Sequence, residues 1–246
     1  MKTIEELKKE NALLRKKLEV AKLWMSAEVK NQIQSIWHTP VSENLEDSIQ
    51  NKIEDFFEDI VLINLPTLVI QNIITSEINY YHLTQWEPIG WSSVIIWYHK
   101  ALDVLIEKNI TKNFRKFAKK NWYDELQKND PLEKSLHQIV NSGHTMSIGR
   151  LYHILKMIKH QEHLENYSLW FKHYLDKYSS IEDVLLSDDF IQKLSILMKT
   201  EVLWKKRHIW RVTVEETKKV RDLLIWDFQD ENCVIYSLIE TSKVEF

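Results

Sequence analysis

Cysteine occurs once in the 246 residues, as Cys233, so the chain encodes no internal disulfide and no cysteine-based zinc site. Glycine occurs three times, at positions 90, 143 and 149, and proline four times. Tight turns with positive φ and closely spaced hairpins draw on these residues, so their scarcity argues against a sandwich or barrel and for long helices. Three glycines so placed build no phosphate-cradling loop, dinucleotide fingerprint or nucleophile elbow, and nucleotide hydrolysis and hydride transfer drop out. Long apolar runs are lacking too. The most apolar stretch, residues 60–74, is interrupted by Pro66 and reads as core, and the opening residues carry no signal-peptide core. The expectation is an all-α, cytoplasmic protein with no membrane partner, no cofactor and no metal.

What the chain has in quantity is tryptophan, ten residues, and charge of both signs that nearly cancels to a formal −3. That balance gives no overall attraction to nucleic acid, so any such affinity must be local. The first helix is the clearest piece. With Ile4 at a heptad a position, Asn11, Leu18 and Met25 follow at a and Leu7, Leu14 and Ala21 at d, an unbroken seam over three heptads. Asn11 and the flanking pair Glu10 and Arg15 favour a parallel two-stranded coiled coil, and so a homodimer; Lys17 and Lys22 form the next flanking pair and repel. The competing reading is an amphipathic helix lying on its own domain, and the two can hold along different halves.

The predicted organisation is a coiled-coil or amphipathic helix over 1–39, a helical connecting region over 42–85 and a helical bundle over 86–246. In the connecting region, apolar residues at helical spacing from Leu45 to Ile63 back an acidic outer face, read as solvated surface. A short helix near 67–81 and a turn at residues 84–93 lead into a central helix whose tail is basic: Lys108, Lys112, Arg115, Lys116, Lys119 and Lys120. Residues 121–135 read as a linker ended by Pro131, with Gly143 and Gly149 in a helix-start turn. Ser147 or Thr145 caps the next helix, Ser187 or Asp188 a later one, and Thr213 with Glu216 forms a capping box. Near the end, Val234, Tyr236 and Leu238 alternate imperfectly with polar neighbours, which leaves a strand open.

The octet WKKRHIWR, Trp204 to Arg211, has three readings. In the first, Lys205, Lys206 and Arg207 complement the negative end of a helix while Trp204 and Trp210 pack inside. In the second, Lys205, Lys206, Arg207 and Arg211 meet RNA phosphates and the two indoles stack on bases, joined by Lys112, Arg115, Lys116, Lys119 and Lys120. In the third, His208 with Arg207 or Arg211 is what is left of a catalytic motif. The histidines His153, His160 and His163 with Glu162 lack the spacing of a zinc-peptidase helix and read as exposed polar residues.

Three stretches, in order, resemble the HEPN superfamily of small helical bundles: residues 86–117 around WEPIGWSSVIIWYHKALDVLIEKNI, residues 146–155 (MSIGRLYHIL) and residues 203–224 (LWKKRHIWRVTVEETKKVRDLL). The resemblance covers roughly 86–236 and is one of pattern. It implies a ribonuclease motif of an arginine, four to six residues and a histidine, and a prokaryotic setting of RNA-targeting defence or stress systems. His208 falls at the histidine position, but the residues at the required spacing are Glu201, Val202 and Leu203. A histidine can act as a base, yet nothing so placed steadies a phosphorane. The expectation is therefore a non-catalytic HEPN-like protein that acts as a dimeric interaction or RNA-contacting subunit. The alternatives are a metal-independent endoribonuclease rearranged around His208 and a structural adaptor for a larger protein partner.

Overall fold

A computed structural model of the chain describes residues 3–34, 43–57, 62–63, 65–85, 91–120, 130–160, 164–200, 212–225 and 233–241. All regular structure among the described residues is helical, in line with the all-α expectation. Helix α1 spans Ile4–Gln34, α2 Glu43–Phe56 and α3 Thr67–Gln85. Helix α1 opens on a capping box: Glu6 N–H donates to Thr3 Oγ1 (3.2 Å), and Thr3 N–H donates to the Glu6 carboxylate (2.6 Å). Helix α3 is apolar on several sides, with Val69, Ile70, Ile73, Ile74 and Ile78 buried, as expected of a helix enclosed by neighbours.

The central helix runs from Ser92 to Lys120 and is interrupted once. Its first part, α4 (Ser92–Ile106), and its basic end, α5 (Lys112–Lys120), are joined by a π turn, Glu107–Thr111. The wider turn puts three consecutive residues, Asn109, Ile110 and Thr111, inside, which one face of a regular α-helix cannot do. Asn109 Nδ2 donates to the Leu238 carbonyl at 2.7 Å, and the Thr111 hydroxyl accepts from Met146 N–H.

The last five residues of the expected linker open a further helix, α6 (Pro131–Ser142). Its start follows from two adjacent residues. Asp130 Oδ1 accepts from Leu132 N–H (2.7 Å) and Glu133 N–H (3.0 Å), and Pro131 occupies the first turn, where its missing N–H costs nothing. Gly143, at φ 73°, closes the helix in the left-handed conformation that glycine adopts without strain, so it ends α6 where a helix-start turn was expected. Gly149 lies inside the next helix, α7 (Ile148–Lys159), which Ser147 caps.

Then come α8 (Asn166–Lys177), α9 (Ser179–Leu185), α10 (Asp188–Lys199, capped by Ser187), α11 (Val214–Ile225) and α12 (Val234–Glu240). The segment left open as a strand is helical in α12, where Val234, Ile235, Tyr236, Leu238 and Ile239 are all buried; enclosure by α4, α9, α10 and α11 removes the two-sided alternation a strand would show. Helix α4 sits at the centre, against α3, α7, α11 and α12. One apolar core runs continuously from Ile49 to Ile239, across the boundary expected at 85/86. Phe114 of α5 packs edge-on to Phe171 of α8 (centroids 5.0 Å) and beside Tyr174 (5.9 Å). No helix among the described residues is long and apolar enough to cross a membrane.

Candidate functional site

Residues 201–211 lie outside the described residues, and with them Trp204, Lys205, Lys206, Arg207, His208, Trp210 and Arg211. The described chain resumes at Val212, which is buried, and enters α11 through the expected capping box. Glu216 N–H donates to Thr213 Oγ1 (3.2 Å), and Thr213 N–H donates to Glu216 Oε2 (3.1 Å).

Two turns into α11, Arg221 makes the one two-bonded ion pair among the described residues between fully enclosed side chains. Its Nε donates to Glu77 Oε1 (2.8 Å) and its Nη2 to Glu77 Oε2 (2.7 Å), each side chain being 6% exposed. Tyr98 of α4 donates its hydroxyl to Glu77 Oε1, and the guanidinium carbon lies 4.6 Å from the ring centre of Tyr80. The arrangement ties α3, α4 and α11 together in the core. Its donors and acceptors face one another rather than solvent, so its role is to fix helix register. Local sequence carries no sign of this pair, because Glu77 and Arg221 are 144 positions apart.

Burial, then the charge of Glu77, pushes the Tyr98 phenol well above its ordinary value, and burial likewise raises Tyr174. Both raised values favour the protonated phenol in the folded state. Their stabilisation is complete below about pH 10, where an unfolded tyrosine begins to ionise. Above it, stability falls by about 1.4 kcal/mol per pH unit for each such tyrosine until the folded-state value is reached. Urea unfolding should therefore show midpoints dropping steeply above about pH 10, with a shallower drop in Tyr174→Phe. Identical slopes for the two proteins would remove Tyr174 from this account.

Of the basic residues singled out on the central helix, Lys112, Lys116, Lys119 and Lys120 are exposed on α5. Arg115 is turned the other way. Its Nε donates to the Ile139 carbonyl (2.9 Å), Nη2 to the His144 carbonyl (3.0 Å), and Nη1 lies 3.6 Å from Glu107. It clamps the end of α6 and its following loop onto the central helix, so it stands apart from the lysine row. Two lysines extend that row. Lys108 lies one turn before Lys112, and partial burial together with the charges of Lys16 and Lys112 draws its ammonium below the usual lysine value. Lys16 comes from α1, which the tertiary structure brings alongside.

Helix α1 packs on α3 through one side. Lys16 Nζ donates to Thr67 Oγ1 (2.9 Å), the Thr67 hydroxyl donates to Glu19 (3.0 Å), and Lys17 lies 3.6 Å from Glu54 of α2. The opposite side carries the heptad seam: Leu7, Leu14 and Leu18 are 52%, 61% and 54% exposed, and Asn11 is exposed as well. The side chains of Ile4, Ala21 and Met25, the other seam residues, lie outside the description. Along one edge of the seam Leu7, Lys8, Asn11, Arg15, Lys16 and Ile63 border an open groove of about 700 Å³.

No family model, curated protein or solved structure matches the chain. Among the described residues no three histidine, cysteine, aspartate or glutamate side chains are grouped to hold a metal ion; His153 and His160 are exposed, and residues 161–163 lie outside the description.

Proposed function

We propose that the chain is a HEPN-like helical subunit that self-associates through α1 and holds partners rather than cutting them. The setting is the cytoplasm of a prokaryotic cell, in an RNA-targeting defence or stress system, as the sequence resemblance implies. One observation carries the self-association: the leucines of the heptad seam point away from the body to which the other side of α1 is fastened. A leucine more than half exposed gains on the order of 1 kcal/mol when a partner covers it, and three in register with Asn11 specify a parallel pair. Lys17, which would repel Lys22 across such a pair, has Glu54 beside it.

The test is mass in solution by light scattering over a dilution series. The wild-type chain is expected at twice the monomer mass, and Leu7→Glu/Leu14→Glu/Leu18→Glu at the monomer mass with an unchanged helical spectrum. A wild-type monomer at every concentration would end the proposal.

RNA contact without cleavage is the second reading, supported by the exposed lysines of α5. The absence of an arginine at the family spacing before His208 separates it from a nuclease. Labelled RNA should be retained and stay intact. Cutting that disappears in His208→Ala would replace this reading with the endoribonuclease.

A further inference from the structure

The lysines of the central helix do not stop where α5 begins. Lys112, Lys116 and Lys119 follow one another at spacings of four and three residues, about 5 to 6 Å apart along one face of α5, and Lys108 precedes them in the π turn. All four are exposed. Lys16, fixed by Thr67 and Glu19, adds its charge from α1 near Lys108, and with Lys8 and Arg15 it also borders the groove on α1. Eleven residues before Lys108, three helical turns and so on the same side, Trp97 is half-buried and carries Lys100 Nζ 3.7 Å from its ring centre. In a chain with a net charge of −3, stacking like charges from two helices is unfavourable for the free protein, and a polyanion would relieve it.

We propose that Trp97, Lys108, Lys112, Lys116 and Lys119, with Lys16 behind them, form a track for the backbone of single-stranded RNA. This assignment rests on the RNA-contact reading and places the contact on a surface separate from the Trp204–Arg211 octet. The lysines meet successive phosphates as point charges, and Trp97 offers a ring on which a base stacks as Lys100 moves from the ring to a phosphate, the two elements of sequence-tolerant single-strand binding. A row of lysines alone would suit an acidic peptide equally; the indole in line with them favours the nucleic acid. Glu19, the acidic residue at the groove, is already engaged by Thr67 and Lys16.

The experiment is fluorescence anisotropy with an end-labelled single-stranded polyuridylate, repeated over a salt series. Lys108→Gln/Lys112→Gln/Lys116→Gln/Lys119→Gln should bind at least about tenfold more weakly, with a slope of log affinity against log salt shallower by roughly 2 to 3. Trp97→Ala should weaken binding while leaving that slope unchanged. These positions are at the surface or half-buried, and a melting curve matching wild type confirms that each variant folds. If the quadruple variant binds like wild type while Lys205→Gln/Lys206→Gln/Arg207→Gln does not, the track is overturned and RNA contact survives. If polyglutamate competes as well as RNA, the ligand is an acidic protein and the track is again overturned. A wild-type protein that retains no RNA at low salt overturns the RNA-contact reading, and the track with it.

Discussion

Arg221→Ala is expected to lower the stability of the fold by about 3 to 5 kcal/mol. Glu77 is buried, and its carboxylate would be left with only the Tyr98 hydroxyl in a site built for a guanidinium. The cost arises from stranding a charge, not from the worth of the pair. Replacing both partners by apolar residues of similar volume, Glu77→Leu with Arg221→Met, should therefore return part of the loss, the remainder being the cost of the buried Tyr98 hydroxyl left without its acceptor. For a chain of this size the single variant should melt roughly 6 to 20 °C lower and the double variant between it and wild type. Scanning calorimetry of wild type, both single variants and the double variant checks this. A double variant as unstable as Arg221→Ala would show that the pair contributes specific packing beyond its charges.

The second large effect concerns Glu133. This buried residue of α6 accepts Tyr167 N–H at 2.7 Å and Ser168 N–H at 2.9 Å, so its carboxylate sits on the N-terminus of α8. Those are two of the backbone donors that a helix start leaves without intrahelical partners, and the helix dipole favours the negative charge there. Glu133→Ala leaves Tyr167 N–H without an acceptor in an enclosed site and Ser168 N–H with only the Glu165 side chain, and is expected to cost about 2 to 4 kcal/mol. Glu133→Gln keeps one amide oxygen and should lose about half as much. The neighbouring capping interactions between Glu165 and Ser168 remain, so α8 should persist while its docking on α6 loosens. Urea unfolding gives the stability change, and hydrogen exchange at Tyr167 and Ser168 localises it. Unchanged exchange there, with full stability in Glu133→Ala, would refute the assignment.

Local chemistry made much of the fold legible in advance. The Thr213–Glu216 capping box, the Ser147 and Ser187 caps and the position of the central helix all follow from short-range hydrogen bonding and spacing, and each appears as read. The start of α6 is not legible in Pro131 alone, because a proline closes a linker as readily as it opens a helix. Asp130 before it was the available signal, since the pair Asp-Pro can equally open a helix. The terminal segment was ambiguous because α12 is buried on all sides, and a short, uniformly apolar run has no period to read.

The candidate surfaces divide in the same way. The heptad seam of α1 was visible in the sequence, but whether it faced the body or solvent was not, because that depends on which side Lys16, Lys17 and Glu19 fasten to α2 and α3. The basic end of the central helix was legible as composition; the inward turn of Arg115 and the approach of Lys16 were not.

By itself the sequence determined the helical class, the caps, the heptad seam and the lack of an arginine at the family spacing before His208, because each depends on residues within a few turns of one another. Only the tertiary structure decided the Glu77–Arg221–Tyr98 lock, the Glu133 cap on α8 and the solvent exposure of the leucine seam. Those join positions from 21 to 144 residues apart or choose between two faces of one helix, and packing, unlike local propensity, is what makes that choice.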